Sequence, residues 1–433
     1  MGLKTIFIVI IMLSLARCEA SAQTKTHNSI NVQSYHVRIE PNISRRYISG
    51  NVIINFSIVS HMDQIVLNCG DLNVDKIKGN SVKSFHQEGN KLFINIIDSD
   101  QTEYEIQIFY HGNPSRGILF LPAANQMYTV FSTEEWMICN NNPDDRATIT
   151  TDLIVSDSLT TIASGIFGGQ KTLGNKKVLS SWHQSTATPA YTYGFSIGPF
   201  NKSTDNYGDV SLNYYSSSYN TGDLHSIFSN TSDMLQFFEE KSGIPYFQSS
   251  YSQILIGSHY QEMAGFSVLK KGYGMLVLQD STEQNLISHE LAHQWWGNMI
   301  TCKSWNHFWL NEAFATYMSA AYNEHRFGRG KYMDNIKAYQ EVYETIKNNG
   351  NDKPLVFDDW SNPSSDDRNL VYFKGAYVLH LLRLKVGDKA FWAGIKQYSQ
   401  RYYEESVTSK DLQEAMERSS SVNLDTFFNK WVY

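Results

Sequence analysis

Hydrophobic and polar residues alternate in short runs through the first part of the chain. Tyr35-His36-Val37-Arg38-Ile39, Val52-Ile53-Ile54-Asn55-Phe56-Ser57-Ile58 and Tyr104-Glu105-Ile106-Gln107-Ile108 follow a period of two, and Asn, Gly, Asp and Pro punctuate the spaces between such runs. Successive side chains on a strand point to opposite faces, so this pattern marks strands with one buried face. From about residue 29 to residue 200 it predicts an antiparallel β-sandwich or saddle, closed by Phe195-Ser196-Ile197-Gly198-Pro199-Phe200. From about residue 201 the apolar positions recur at helical spacing instead. Helices are predicted over 224–241, 283–299, 309–327, 332–348, 369–386 and 409–419, with one strand-like stretch at 252–269. The fold class is therefore α+β multidomain, with an N-terminal β domain over 23–200 and a mainly helical domain over 201–433.

Composition changes this picture little. The 433 residues include 26 Tyr, 23 Phe and 9 Trp, and 42% are hydrophobic, enough for two well-packed cores and unlike a disordered or fibrous chain. A net charge of -7 with no long basic run excludes nucleic acid as an expected partner.

The N-terminus reads as an export signal. Lys4 precedes an apolar run from Thr5 to Ala16, and Ala20-Ser21-Ala22 supplies small residues for cleavage before Gln23. A dozen apolar residues is short for a retained membrane anchor, so a signal peptide over 1–22, an exported protein and no stable membrane insertion are expected. Cys18 raises lipid attachment, but Arg17 before it is a poor match to that signal. Cys69, Cys139 and Cys302 then remain, an odd number that allows at most one disulfide. Sequons begin at Asn42, Asn55, Asn201 and Asn230.

The chemistry concentrates in Ser288-His289-Glu290-Leu291-Ala292-His293-Gln294-Trp295-Trp296-Gly297-Asn298 and in Trp309-Leu310-Asn311-Glu312. His289 and His293 stand four apart, so on a helix both imidazoles face one ion. Glu312 follows His293 after eighteen intervening residues and completes a two-His, one-Glu set. Three protein ligands leave the fourth tetrahedral position open, which separates a catalytic zinc site from a structural one. Glu290, beside a ligand without being one, is placed to act as general base and acid. A bare HExxH also arises by chance in helices. Here Leu286, Ile287, Leu291, Ala292, Trp295, Trp296 and Met299 make its surroundings apolar, where two His and a Glu are costly to bury unless coordinated.

The runs HELAHQWWGNMIT (289–301) and WLNEAFA (309–315) resemble the zinc aminopeptidases of the aminopeptidase N and leukotriene hydrolase family, gluzincins with HExxH, eighteen residues and Glu. Tyr372-Phe373-Lys374-Gly375-Ala376 is similar to the family's Tyr-x-Lys-Gly-Ala segment, and the resemblance implies that Tyr372 stabilises the oxyanion. The family's Gly-Ala-Met-Glu-Asn-x-Gly signature has its counterpart at His259-Tyr260-Gln261-Glu262-Met263-Ala264-Gly265, where only the Glu and final Gly survive. By resemblance Glu262 binds the substrate's free α-ammonium. Ser319 stands where many relatives carry Glu, and Glu134 is the nearest N-terminal candidate for assisting amine binding, a role left open.

The resemblance implies a thermolysin-like catalytic domain, one zinc ion per chain and a peptide substrate cleaved at its N-terminal bond. It also implies a short form, since a further helical domain usually follows the aromatic run at 427–433 in the family. Zinc endopeptidase or epoxide hydrolase chemistry at the same site is the enzymatic alternative, supported by the eroded signature around Glu262. A catalytically inactive binding or scaffold module is the other, and the intact ligands and Glu290 weigh against it.

Overall fold

The computed structural model describes residues 30–58, 62–97, 102–358, 360 and 363–433. The signal peptide expected at 1–22 lies outside them. A β-rich N-terminal part is followed by a helical part, as the periodicities predict.

The largest sheet has seven strands in the order Ile166–Gly174, Lys177–Pro189, Arg146–Ser156, Ile30–Asn42, Tyr47–Ile58, Glu103–Gly112, Asn73–Lys78. Its pairings are antiparallel except at the centre, where Ile30–Asn42 runs parallel to Arg146–Ser156. A purely antiparallel domain is thus corrected to a mixed one, because a parallel pair joins strands far apart in sequence and leaves no local turn signal. A bulge between Val32 and Ser34 shifts the first strand's register by one residue. It lets Val32 face inward on one phase and Tyr35, Val37 and Ile39 on the other. A three-stranded and a four-stranded sheet complete this part, and their inward faces share one apolar core with the large sheet.

The polypeptide then forms a five-stranded sheet in the order Asn201–Tyr207, Val210–Ser216, Ser250–Leu255, Phe266–Leu269, Gln261–Met263. Ile254, Met263, Phe266 and Val268 of this sheet pack into the N-terminal core, while Leu212, Tyr251 and Leu255 pack into the helical one. The sheet is therefore buried on both sides and fixes the two parts against each other. Its short edge strand, Gln261–Met263, carries Glu262 towards the helices.

Two helices set the rest. Trp309–Phe327 has no Gly or Pro across nineteen residues and is buried along most of its length. Asn285–Ala292 packs against it and is much shorter than the 283–299 predicted from apolar spacing. The ladder tightens as Gln294 N–H and Trp295 N–H bond to the carbonyls three residues back, of Leu291 and Ala292, and the chain then turns so that Asn298 N–H bonds to His293 O. Trp295, Trp296 and Met299 are buried all the same, in turns rather than helix. The helix Asp388–Arg401 was not among those predicted.

Candidate metal and catalytic site

His289 and His293 project from the end of helix Asn285–Ala292, His293 being the residue that caps it. Their Nε2 atoms lie 3.1 Å apart, and Glu312 Oε2 stands 3.6 Å from the first and 3.5 Å from the second. Two ligands about 2.1 Å from one ion at tetrahedral angles are roughly 3.4 Å apart, so this near-equilateral triangle fits a single small cation. The donors fit as well. Glu312 Oε2 is buried and has no hydrogen-bond partner, a costly state that a cation relieves. His293 Nδ1 lies 3.0 Å from the carbonyl of Trp296, which fixes Nδ1 as the protonated nitrogen and turns the Nε2 lone pair inward. His289 Nδ1 is 3.4 Å from Thr316 Oγ1.

The local sequence explains this geometry. Glu312, Thr316, Ser319 and Asn323 are spaced three to four apart on helix Trp309–Phe327 and form a buried polar stripe against helix Asn285–Ala292. Ser319 Oγ donates to Asn285 O at 2.7 Å and lies 2.7 Å from Ser288 Oγ, which in turn donates to Gln284 O. A serine at 319 is thus satisfied by a serine across the helix pair. Gly297 has a φ of +140°, and a Cβ there would lie 2.7 Å from His293 Nδ1, so only glycine leaves His293 its bond to Trp296.

Glu290 is buried beside the triangle, and its Oε2 has no partner. Burial above all, then Glu262 and Glu312, pushes its carboxyl well above the usual range, against the opposing pull of His293. Burial likewise, with Glu312 adding, raises Glu262 to about 7. Glu312 is held at about 2: burial acts to raise it, and the neighbouring imidazoles of His293 and His289 prevail. Three carboxylates on two imidazoles make a strongly cation-seeking pocket.

Glu262 is positioned from two sides. Gln294, directly after His293, accepts from Gly265 N–H at 3.0 Å and donates to Met263 O at 2.9 Å, tying the edge strand to the metal loop. Oxygens of Glu262 and Glu290 and a nitrogen of His293 all lie within 4.8 Å of one another. Tyr372 stands across the cleft, its ring stacked on His289 at 5.8 Å between centroids. It sits in a single π-helical turn, Leu370–Lys374, between helices Ser365–Asn369 and Gly375–Val386. Gly375 explains the small residues that follow: a Cβ there would approach Ala313 Cβ to 2.5 Å, so glycine lets this helix close on the one carrying Glu312. Lys374 Nζ anchors the same turn to Asp352 Oδ1 at 2.7 Å. Burial first, then the carboxylates of Glu312, Glu262 and Glu290, raises the Tyr372 hydroxyl far above its ordinary value, so it stays protonated and able to donate.

All six residues singled out in the sequence converge on one cleft, lined also by Phe131, Tyr260 and Leu286. Phe131 belongs to the N-terminal β part and had no sequence signal, because only tertiary structure brings it here. Glu134 is not among the lining residues and accepts from Asn141 Nδ2 at 2.7 Å. Cys69, Cys139 and Cys302 are buried free thiols.

Residues 31–192 match the peptidase M1 N-terminal domain and residues 227–431 the peptidase family M1 domain. An aminopeptidase N from Lactococcus lactis subsp. lactis is 30% identical over 154 residues, which cover 34% of this chain and 18% of that protein. One from Streptomyces lividans is 29% identical over 223 residues, 48% of this chain and 26% of that protein. The chain thus spans about a fifth to a quarter of these curated relatives. An M1 zinc metallopeptidase from Deinococcus radiodurans superposes with a TM-score of 0.77 at 23% identity over 93% of each chain. A mutant form of it bound to a Tyr-Ser-Ala substrate gives 0.78 at 22% identity over 94% of each.

Proposed function

Because the chain belongs to peptidase family M1, matched in both its N-terminal and its catalytic domain, we propose that it is a zinc-dependent aminopeptidase of short peptides. The observation that carries this reading is the buried Glu262 carboxylate beside Glu290 and His293. A second carboxylate so near the metal ligands suits the free α-ammonium of a substrate and leaves room for one residue before the scissile bond.

His289, His293 and Glu312 are the residues that would hold the zinc. When bound, the ion polarises the scissile carbonyl and brings the pKa of water down towards about 7. Glu290 takes the proton that water loses on attacking the carbonyl carbon, and passes it to the departing amine nitrogen as the C–N bond breaks. The Tyr372 hydroxyl donates to the carbonyl oxygen as negative charge grows on it. Glu262 accepts hydrogen bonds from the ammonium and fixes which bond is cut. The export expected from the N-terminal sequence is part of the proposal: N-terminal sequencing of the exported protein is expected to begin at Gln23, and a mature form that retains residues 1–22 would overturn it.

A panel of aminoacyl-fluorophores, free and N-acetylated, assayed with and without chelator, tests the function. Chelator-sensitive cleavage of the free forms alone is expected, and Glu290→Ala excludes a contaminating peptidase. Equal cleavage of the acetylated forms overturns the aminopeptidase reading in favour of an endopeptidase. Absence of stoichiometric zinc favours a scaffold.

A further inference from the structure

Gln261 is almost fully buried between the N-terminal β part and the site, and its carboxamide is used at both ends. Oε1 accepts the backbone N–H of Phe131 at 3.1 Å. Nε2 donates to the Glu262 carboxylate (Oε2, 2.9 Å) and to the Glu262 carbonyl at 3.0 Å. An amide that accepts from an N–H and donates to a carboxylate has one orientation only. The Phe131 end of this bridge is strained: Phe131 and Ser132 both take left-handed backbone conformations, with φ of +50° and +38°, which non-glycine residues adopt only when surrounding structure holds them. Phe131 also lines the cleft that holds the metal ligands.

We propose that Gln261 is a positioning residue that couples the Phe131 turn to Glu262, aiming the carboxylate at the substrate ammonium and so setting the preference for free N-termini. The inference rests on the aminopeptidase reading above. With Oε2 held by Gln261, the other oxygen of Glu262 is directed to the ammonium. Without that bond the carboxylate swings, and the gap between free and blocked substrates narrows. The same bridge holds the Phe131 wall, so the bound amine and the side of the cleft move together.

Gln261→Met keeps length and volume while removing all three bonds of the carboxamide, and Gln261→Leu removes the same bonds with a branched apolar side chain. Both variants are assayed as zinc-loaded full chain on matched free and acetylated aminoacyl-fluorophores. Loss of a hydrogen bond to a carboxylate corresponds to roughly tenfold, so KM for free substrates is expected to rise about that much in both variants, with kcat changed less than threefold. The ratio of kcat/KM between free and acetylated substrates falls by the same factor. Wild-type KM and ratio in both variants overturn the assignment, as does a fall in kcat with KM unmoved, which marks a merely structural role. If the parent already cleaves both substrate types alike, the aminopeptidase reading falls and takes the assignment with it.

Discussion

The roles proposed for Glu290 and Tyr372 turn on proton transfer, and both groups are buried in the cleft beside the metal triangle. Glu290 has an unpartnered buried oxygen facing the cleft, so removal of its carboxylate takes away a base and leaves the metal triangle untouched. Glu290→Ala is expected to lower kcat about 100-fold or more with zinc retained. Tyr372→Phe, which removes only the donor, should cost about 100- to 1,000-fold in kcat with a modest change in KM. Near-parental turnover in either variant removes that residue from the mechanism. Away from the site, Asp152 offers a pH test. It is buried, which alone would raise its carboxyl, yet bonds from His36, Ser181 and Arg38 hold it at about 2, below its ordinary 3.8. A folded-state value below the unfolded one stabilises the fold above the unfolded value, and that contribution is lost as pH falls. Asp152→Asn is expected to unfold more easily at pH 7, with the gap to the parent closing between about pH 4 and pH 2 in urea titrations. A gap that stays constant across this range contradicts the assignment. His289, Glu290, His293 and Glu312 were legible one by one because their spacing alone places them on one ion. Phe131 and the Gln261 bridge were not, since no local spacing relates residues 131 and 261.

At the scale of elements, what matters is how closely the helices approach. Gly375 lets helix Gly375–Val386 lie against Ala313, and through it sets the π-helical turn that carries Tyr372. Gly375→Ala should push these helices apart, destabilising by about 1–3 kcal/mol and lowering kcat more than zinc affinity. Adding Ala313→Gly removes the opposing methyl and should restore most of both losses. No rescue in the double variant would show that Gly375 acts through something other than this contact. Helix Trp309–Phe327 was readable to its ends, because a nineteen-residue run without Gly or Pro leaves the periodic pattern unbroken. Apolar spacing extends helix Asn285–Ala292 beyond its true end. Apolar residues at 295, 296 and 299 are buried in the turn after it, and burial alone does not distinguish a turn from a helix. Gly297 was the available stop signal. Helix Asp388–Arg401 shows the converse. Phe391, Ile395 and Tyr398 recur at helical spacing, but Gly394 weakens the pattern; its Cβ would meet Met416 Sδ at 2.7 Å, so the glycine serves packing against the neighbouring helix.

The whole molecule holds its site between two differently built parts. The five-stranded sheet shares side chains with both cores, and Arg146 of the N-terminal part donates to Asn298 O at 3.0 Å and Thr301 Oγ1 at 2.9 Å in the loop just after His293. Tyr191 adds a bond to Gly297 O at 2.8 Å and receives one from Asn311, beside Glu312. The β part is therefore a support for the metal loop and, through Phe131, one wall of the cleft. Its strand-rich character was legible from the alternation at 35–39, 52–58 and 104–108, while the parallel pairing of Ile30–Asn42 with Arg146–Ser156 depends on contacts more than a hundred residues apart. All of these supports converge on the triangle of His289, His293 and Glu312, which we propose holds one zinc ion beside the site for a free amine. The most direct test is to strip the protein with chelator and titrate zinc back while following hydrolysis of a free aminoacyl-fluorophore. Activity should return linearly and saturate at one equivalent of zinc per chain, with the acetylated substrate untouched throughout. Full activity in the stripped protein, or none after one equivalent has bound, would contradict the account.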